Sequence, residues 1–292
     1  MTERDRLLST DLPEPATPLL APHVRIRPPK GWWDLDVAEL WAFRGLLWIL
    51  VQRDIKLRYK QTALGVTWVI LQPLLTSIIF AIVFGNLAKL PSDNSPYIVF
   101  VMAGMLPWTL FAQGLQRAGN SMVSDSRLIA KVYFPRMIIP VASAAAVLLD
   151  FAVSFCVFAV LCLVYGVPVT WTWLALFPLV LLTFGITVGV SLFFSALNVY
   201  YRDFAYALPF VVQTWMYGSP LVYASSLIPP KWQVLYSLNP MSGVIDGFRW
   251  ALLGDVEFPA VHLGLSVAVG ACILAFGVFV FQRVERSFAD VI

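Results

Sequence analysis

The chain has 292 residues, of which 59% are hydrophobic and 13% charged, with a formal net charge of +3 and a mean hydropathy of +0.77. Soluble domains carry about 25% charged residues, so a water-soluble enzyme is excluded. The apolar residues fall in blocks longer than the roughly 20 residues that a helix needs to cross a bilayer core of about 30 Å, which predicts an all-α polytopic membrane protein.

Residues 1–34 read as a Pro-rich flexible cytoplasmic tail, with Pro13, Pro15, Pro18, Pro22, Pro28 and Pro29 set among charges, a proline density that suits a disordered or extended segment. Met1 to Lys30 contains no apolar run followed by a small-residue cleavage site, so it is not a secretion signal. Over 35–60, Leu40, Phe43, Leu47, Leu50 and Val51 recur at spacings of three and four, predicting an N-terminal amphipathic interface helix. Trp32, Trp33, Trp41 and Trp48 suit an interface, and Arg53, Lys56, Arg58 and Lys60 reach anionic headgroups of membrane lipids. A juxtamembrane helix packed on its own protein is the other reading.

Residues 61–286 form the membrane domain, with six transmembrane helices expected at about 66–88, 97–117, 137–165, 172–197, 204–223 and 259–281, and 287–292 as a cytoplasmic C-terminal tail. The uncharged run from Phe151 to Tyr201 is too long for one span, and Gly166, Pro168 and the Trp171/Trp173 pair divide it. Between spans 5 and 6, Ser219 to Phe258 is rich in proline and glycine yet apolar, with Trp232, Leu235, Tyr236, Leu238, Met241, Val244 and Ile245. That combination predicts a re-entrant segment whose broken backbone is buried in protein; a surface amphipathic hairpin is the alternative. Summed over alternate loops, seventeen basic residues fall on one side and three on the other, so both termini are expected in the cytoplasm and the chain in the cytoplasmic (inner) membrane.

The chemistry the chain can support is narrow. Cys156, Cys162 and Cys272 lie in apolar stretches, and with only His23 and His262 besides no metal-ligand spacing can be assembled. No GxxxxGK motif followed by serine or threonine is present, so nucleotide is not cradled here in that manner. Ser219 follows Gly218 but has no evident base, which argues against a serine hydrolase. Asp150 is the clear intramembrane acid. It either bonds another helix or caps a local break, and one acid alone makes a poor ion pathway. Motion driven from outside the membrane fits better, and no nucleic-acid partner is expected.

Four stretches then stand together: RDIKLRYKQTALGVTWVILQP (Arg53–Pro73), KVYFPRMIIP (Lys131–Pro140), NVYYRDF (Asn198–Phe204) and SLNPMSGVIDGFRWALLG (Ser237–Gly254). In this order and at these spacings the chain resembles, over about Leu40 to Arg286, the permease subunit of ABC-type polysaccharide exporters for O-antigen, capsule, teichoic acid or galactan. The resemblance implies a homodimer with a channel at its interface, paired with two copies of a separate ATPase subunit that binds the ATP and magnesium, so that this chain carries no cofactor and is no enzyme by itself. The implied cargo is a lipid-linked polysaccharide.

By that resemblance the cytoplasmic segment Ser121 to Tyr133 contains the coupling helix that enters a cleft of the ATPase, and the assigned residues are Leu128, Ile129 and Lys131; a solvated loop is the alternative. Arg202 and Asp203, in the cytoplasmic turn, either sense the ATPase or anchor the helix end. Phe193, Phe194, Tyr200, Tyr201, Trp215 and Tyr217 are channel-lining aromatic candidates, since aromatic faces stack on sugar rings, whereas Trp171, Trp173, Trp232 and Trp250 suit interfacial belts. A permease for a drug or small lipid, or a membrane enzyme of glycan assembly, are the rival functions.

Overall fold

The computed structural model describes residues 37–60, 65–92, 95–129, 131, 134–254 and 257–285. All belong to the compact unit Asp36–Ile292, and among them the ordered elements are helical, without strands. The expected tails at 1–34 and 287–292 lie outside the described residues.

A short helix, α1 (Val37–Ala42), leads into α2 (Arg44–Lys60), which lies along α6 (Ile138–Tyr165). Leu50 and Val51 are the buried contact of α2, while Trp41, Trp48, Ile49 and Leu57 remain exposed. Next, α3 (Gly65–Phe80) continues into a π-helical stretch, Ala81–Leu87. α4 (Tyr97–Ser124) and the single turn α5 (Ser126–Ile129) precede α6, and a 3₁₀ turn at Trp171–Ala175 opens α7 (Leu176–Tyr200). α8 (Phe204–Tyr217), α9 (Pro230–Ser237), α10 (Pro240–Leu253) and α11 (Ala260–Glu285) complete the described chain.

Among the described residues, five helical segments are long and apolar enough to cross a membrane: Thr67–Leu87, Tyr97–Ser124, Ile138–Tyr165, Trp171–Tyr200 and Ala260–Glu285. Their burial sorts them. The apolar window of α4 is 78% buried, against 17% for the first and last of the five, so α4 is the central helix and α3 and α11 are peripheral. α6 and α7 flank α4, α11 runs along α7, and α10 is enclosed by α4, α7 and α11.

The segment expected to span over 204–223 is helical only from Phe204 to Tyr217. Fourteen residues rise about 21 Å, less than a bilayer core. Gly218 and Pro220 follow, and the backbone at 221–223 is diverted: carbonyls of Leu221 and Tyr223 accept from Arg249 of α10, and that of Val222 from Tyr97 at the start of α4. α10 forms from local signals. Asn239 caps it by accepting from the Met241 amide at 3.0 Å, Pro240 occupies the first turn, and Gly254 ends it at φ 75°.

Two apolar cores are stacked along α4. One gathers its residues 99–115 with α7, α10 and Phe158 of α6, and the other joins Ala118 and Met122 to α2, α6 and the far half of α7 with Phe281. Where α7 and α11 cross, Gly189 faces Leu274 and Gly277 faces Gly189, leaving no space for a side chain on either. Small residues let membrane helices approach closely enough for backbone contact.

Candidate coupling segment and the polar contacts behind it

α5 begins where α4 ends, at Asp125, whose carbonyl accepts from the amides of Leu128 and Ile129. Leu128 and Ile129 are half-buried against the second core, and Lys131 is exposed. The three residues expected to meet an ATPase are therefore close in space, with two apolar side chains partly committed to their own protein and one cation free to solvent. Beyond them, the amide and guanidinium of Arg136 donate to Glu285 at 2.9 and 2.8 Å, tying the entry to α6 to the end of α11.

Behind α5 stands a cluster of charges from α2, α4 and α6. Arg53 donates to Asp54 at 2.8 Å and to Asp125 at 2.6 Å, and Asp54 accepts from Ser143 of α6 at 2.9 Å. Further along α2, Arg58 pairs with Asp150 and donates to Gln113 of α4 at 3.3 Å, while the Tyr59 hydroxyl donates to Asp150. Burial alone would lower the pKa of Arg53, but its bonds to Asp125 and Asp54 outweigh that and hold it above its ordinary value. Burial, helped by the Arg117 guanidinium nearby, pushes Arg58 down to about 10, still protonated at neutral pH.

Asp150 is thus bonded to another helix, α2. The basic residues of α2 divide: Lys56 and Lys60 are exposed, whereas Arg53 and Arg58 turn inward to carboxylates. Arg202 and Asp203 form the exposed turn between α7 and α8, where the Arg202 carbonyl accepts from the Ala205 amide and the Asp203 carbonyl from those of Tyr206 and Ala207. Behind that turn Asn198 donates to Asn120 at 2.9 Å, joining α7 to α4.

The aromatic candidates separate in the same way. Tyr200, Tyr201 and Tyr217 are exposed. Phe194 packs edge-on to Phe204 and Phe193. Trp215 is held by an edge contact to Phe111 at 5.0 Å and by its indole N–H on Asn239 at 2.9 Å. Phe193 and Trp215 also border an apolar cavity of about 510 Å³ between α7, α8 and α11, lined besides by Gly189, Ala268, Cys272 and Phe276.

The segment 218–249 carries polar contacts that periodicity did not expose. Asn239 donates to the Gly218 carbonyl, Ser225 donates to Asp246 at 2.7 Å, and His262 of α11 lies 3.2 Å from Asp246. Arg249 is 3% exposed; its guanidinium sits 3.7 Å above the Phe100 ring and donates to the carbonyls of Leu221 and Tyr223. Asp246 and Arg249, three apart in an otherwise apolar helix, were the signal available in the sequence. Arg249→Ala is expected to lower stability by about 3 kcal/mol, because charge-assisted bonds are lost and buried carbonyls are left unpaired. Thermal unfolding in detergent checks this, and an unchanged midpoint contradicts it.

Among the described residues, a buried α4 and four further membrane-length helices define a helical membrane domain, and no cluster of three metal-ligating side chains occurs. Residues 45–253 match the family described as ABC-2 type transporter, and the chain belongs to that family. It is 31% identical over 259 residues to the O-antigen export system permease protein RfbA of Myxococcus xanthus, covering 87% of this chain and 98% of the relative. It is also 28% identical over 249 residues to a protein of the same name from Klebsiella pneumoniae, covering 85% and 95%. The polysialic acid transport protein KpsM of Escherichia coli is 21% identical over 242 residues, covering 82% and 93%.

Proposed function

We propose that this chain is the channel-forming subunit of an ATP-driven exporter that carries a lipid-linked polysaccharide outward across the cytoplasmic membrane. The observation that carries the reading is the end-to-end similarity to two O-antigen export permeases, which spans 85% or more of this chain and 95% or more of each relative. A permease of the same subunit plan for a drug or small lipid is the second reading; the likeness to the inner membrane transport permease YadH of Escherichia coli is confined to 88 residues, 30% of this chain.

One such domain is half of a pathway, and the working unit is two copies with two ATPase subunits that bind ATP and magnesium. The exposed apolar surfaces of α3 with its π-helical continuation and of α8, including Leu75, Ile79, Ile82, Tyr206, Phe210 and Tyr217, support that reading, because these segments lack a neighbour on one side. α8 with the turn after it makes the sixth crossing, and α9 and α10 form the re-entrant segment. α1 and α2 lie in the membrane surface with Trp41, Trp48 and Lys56 outward, both termini face the cytoplasm, and α5 is the coupling helix.

Deleting the gene in its source organism tests the cargo. Finished polymer accumulating inside the cell, with none at the surface, is the expected outcome. Unchanged surface polymer together with a loss of small-molecule resistance would favour the second reading.

A further inference from the structure

We infer that Arg53–Tyr59 of α2 is a polar strut that fastens the α4–α5 corner to α6, so that a displacement of α5 is carried to Asp150 rather than lost between loosely packed helices. The inference rests on the reading of α5 as the segment that meets the ATPase.

The strut has two attachments to α6. Ser143 and Asp150 are seven residues apart, two turns of one helical face and about 10 Å of rise. Asp54 takes the first and Arg58 with Tyr59 takes the second; Asp54 and Arg58 are themselves four apart on one face of α2. A single polar link would act as a pivot. Two links, with Leu50 and Val51 buried in the second core about one turn before them on α2, fix the orientation of α2 on α6, and the pair moves as one body.

The third attachment leads to α5. Arg53 reaches both Asp54 and Asp125, and Asp125 is the corner residue whose carbonyl begins α5. The carboxylates are sheltered: Asp150 has 5% of its side chain exposed, Asp54 17% and Asp125 19%. Exposed ion pairs contribute little, but removing one partner of a sheltered pair leaves a charge uncompensated, so these links resist shear. A push on α5 therefore turns α2 and α6 together, and the acid in the middle of α6 serves as the far anchor of the strut and not as a proton carrier.

The test is a charge-reversal cycle on the far anchor, which lies away from the docking residues. Arg58→Asp, Asp150→Arg and the double variant are expressed with the ATPase subunit recovered alongside the wild-type chain, and polymer exported per ATP hydrolysed is measured in membrane vesicles. Each single change is expected to leave ATPase recovery with the tagged permease intact and to lower export per ATP about tenfold, and the double variant to restore most of it. Arg53→Gln, at the near end, is expected to behave like the single reversals. Unchanged export per ATP in the single variants, or no recovery in a double variant that reaches the membrane, overturns the strut. Should the wild-type permease recover no ATPase at all, the coupling reading itself fails and takes the strut with it.

Discussion

Gly277→Leu is expected to prevent the membrane domain from assembling. A β-carbon at Gly277 would stand 2.0 Å from the Gly189 carbonyl oxygen, and one at Gly189 would stand 2.6 Å from the Leu274 backbone. The obstacle in both cases is backbone, so the strain cannot be relieved by a rotamer change. Relief requires α11 to withdraw from α7, its main partner, and the loss exceeds the usual 1–3 kcal/mol of overpacking. Gly264→Ala supplies the control, since nothing lies within 4 Å of a β-carbon there, and alanine favours a helix by about 0.5–1 kcal/mol. Size-exclusion profiles and melting curves of the two variants in detergent decide the matter. A monodisperse Gly277→Leu protein with a wild-type melt would show that the α7–α11 crossing is not close-packed.

Leu128→Asp combined with Ile129→Asp is expected to abolish export by detaching the ATPase. Buried apolar anchors at the centre of an interface each contribute about 2 kcal/mol or more, so losing two weakens association by several hundredfold, on the order of 4 kcal/mol. Both side chains also touch the second core, and a loss of fold must be separated from a loss of docking. Lys131→Glu does this, because Lys131 is exposed and its reversal leaves the core alone. Lower ATPase recovery with Lys131→Glu, at an unchanged melting temperature, is the expected result. Full recovery and export with both variants would assign α5 to the structure of the permease alone.

Much of the architecture was legible because lipid imposes a simple rule of length and charge-free runs. The starts of α4, α6 and α11 lie within a residue of the expected positions, at Tyr97, Ile138 and Ala260. The end of α4 is expected at about 117, where the uncharged stretch Asn94 to Gln116 meets Arg117. The helix continues to Ser124, since Gln113 accepts from Arg58 and Asn120 from Asn198: polar side chains satisfied by other helices do not end a helix. Periodicity could not reveal those partners, as they lie 55 and 78 residues away. The same applies to α8, whose end depends on Tyr97 and Arg249 capturing the following carbonyls. Asp150 stands out in the sequence as an isolated acid, but its partners do not: Arg58 reads as a headgroup-facing cation, and Tyr59 carries no signal of its own. Their inward turn is a property of the α2–α6 packing and of no local pattern.

The central claim is that this membrane domain is powered by a separate ATPase docked at α5. Tagging the chain in its native membrane, extracting it gently and identifying what co-purifies in near-equal amount by mass spectrometry tests that most directly. A stoichiometric soluble-type protein with a Walker phosphate-binding motif is the predicted result. An intact, folded permease that reproducibly brings no such partner would contradict the account and point to a self-sufficient channel or a membrane enzyme.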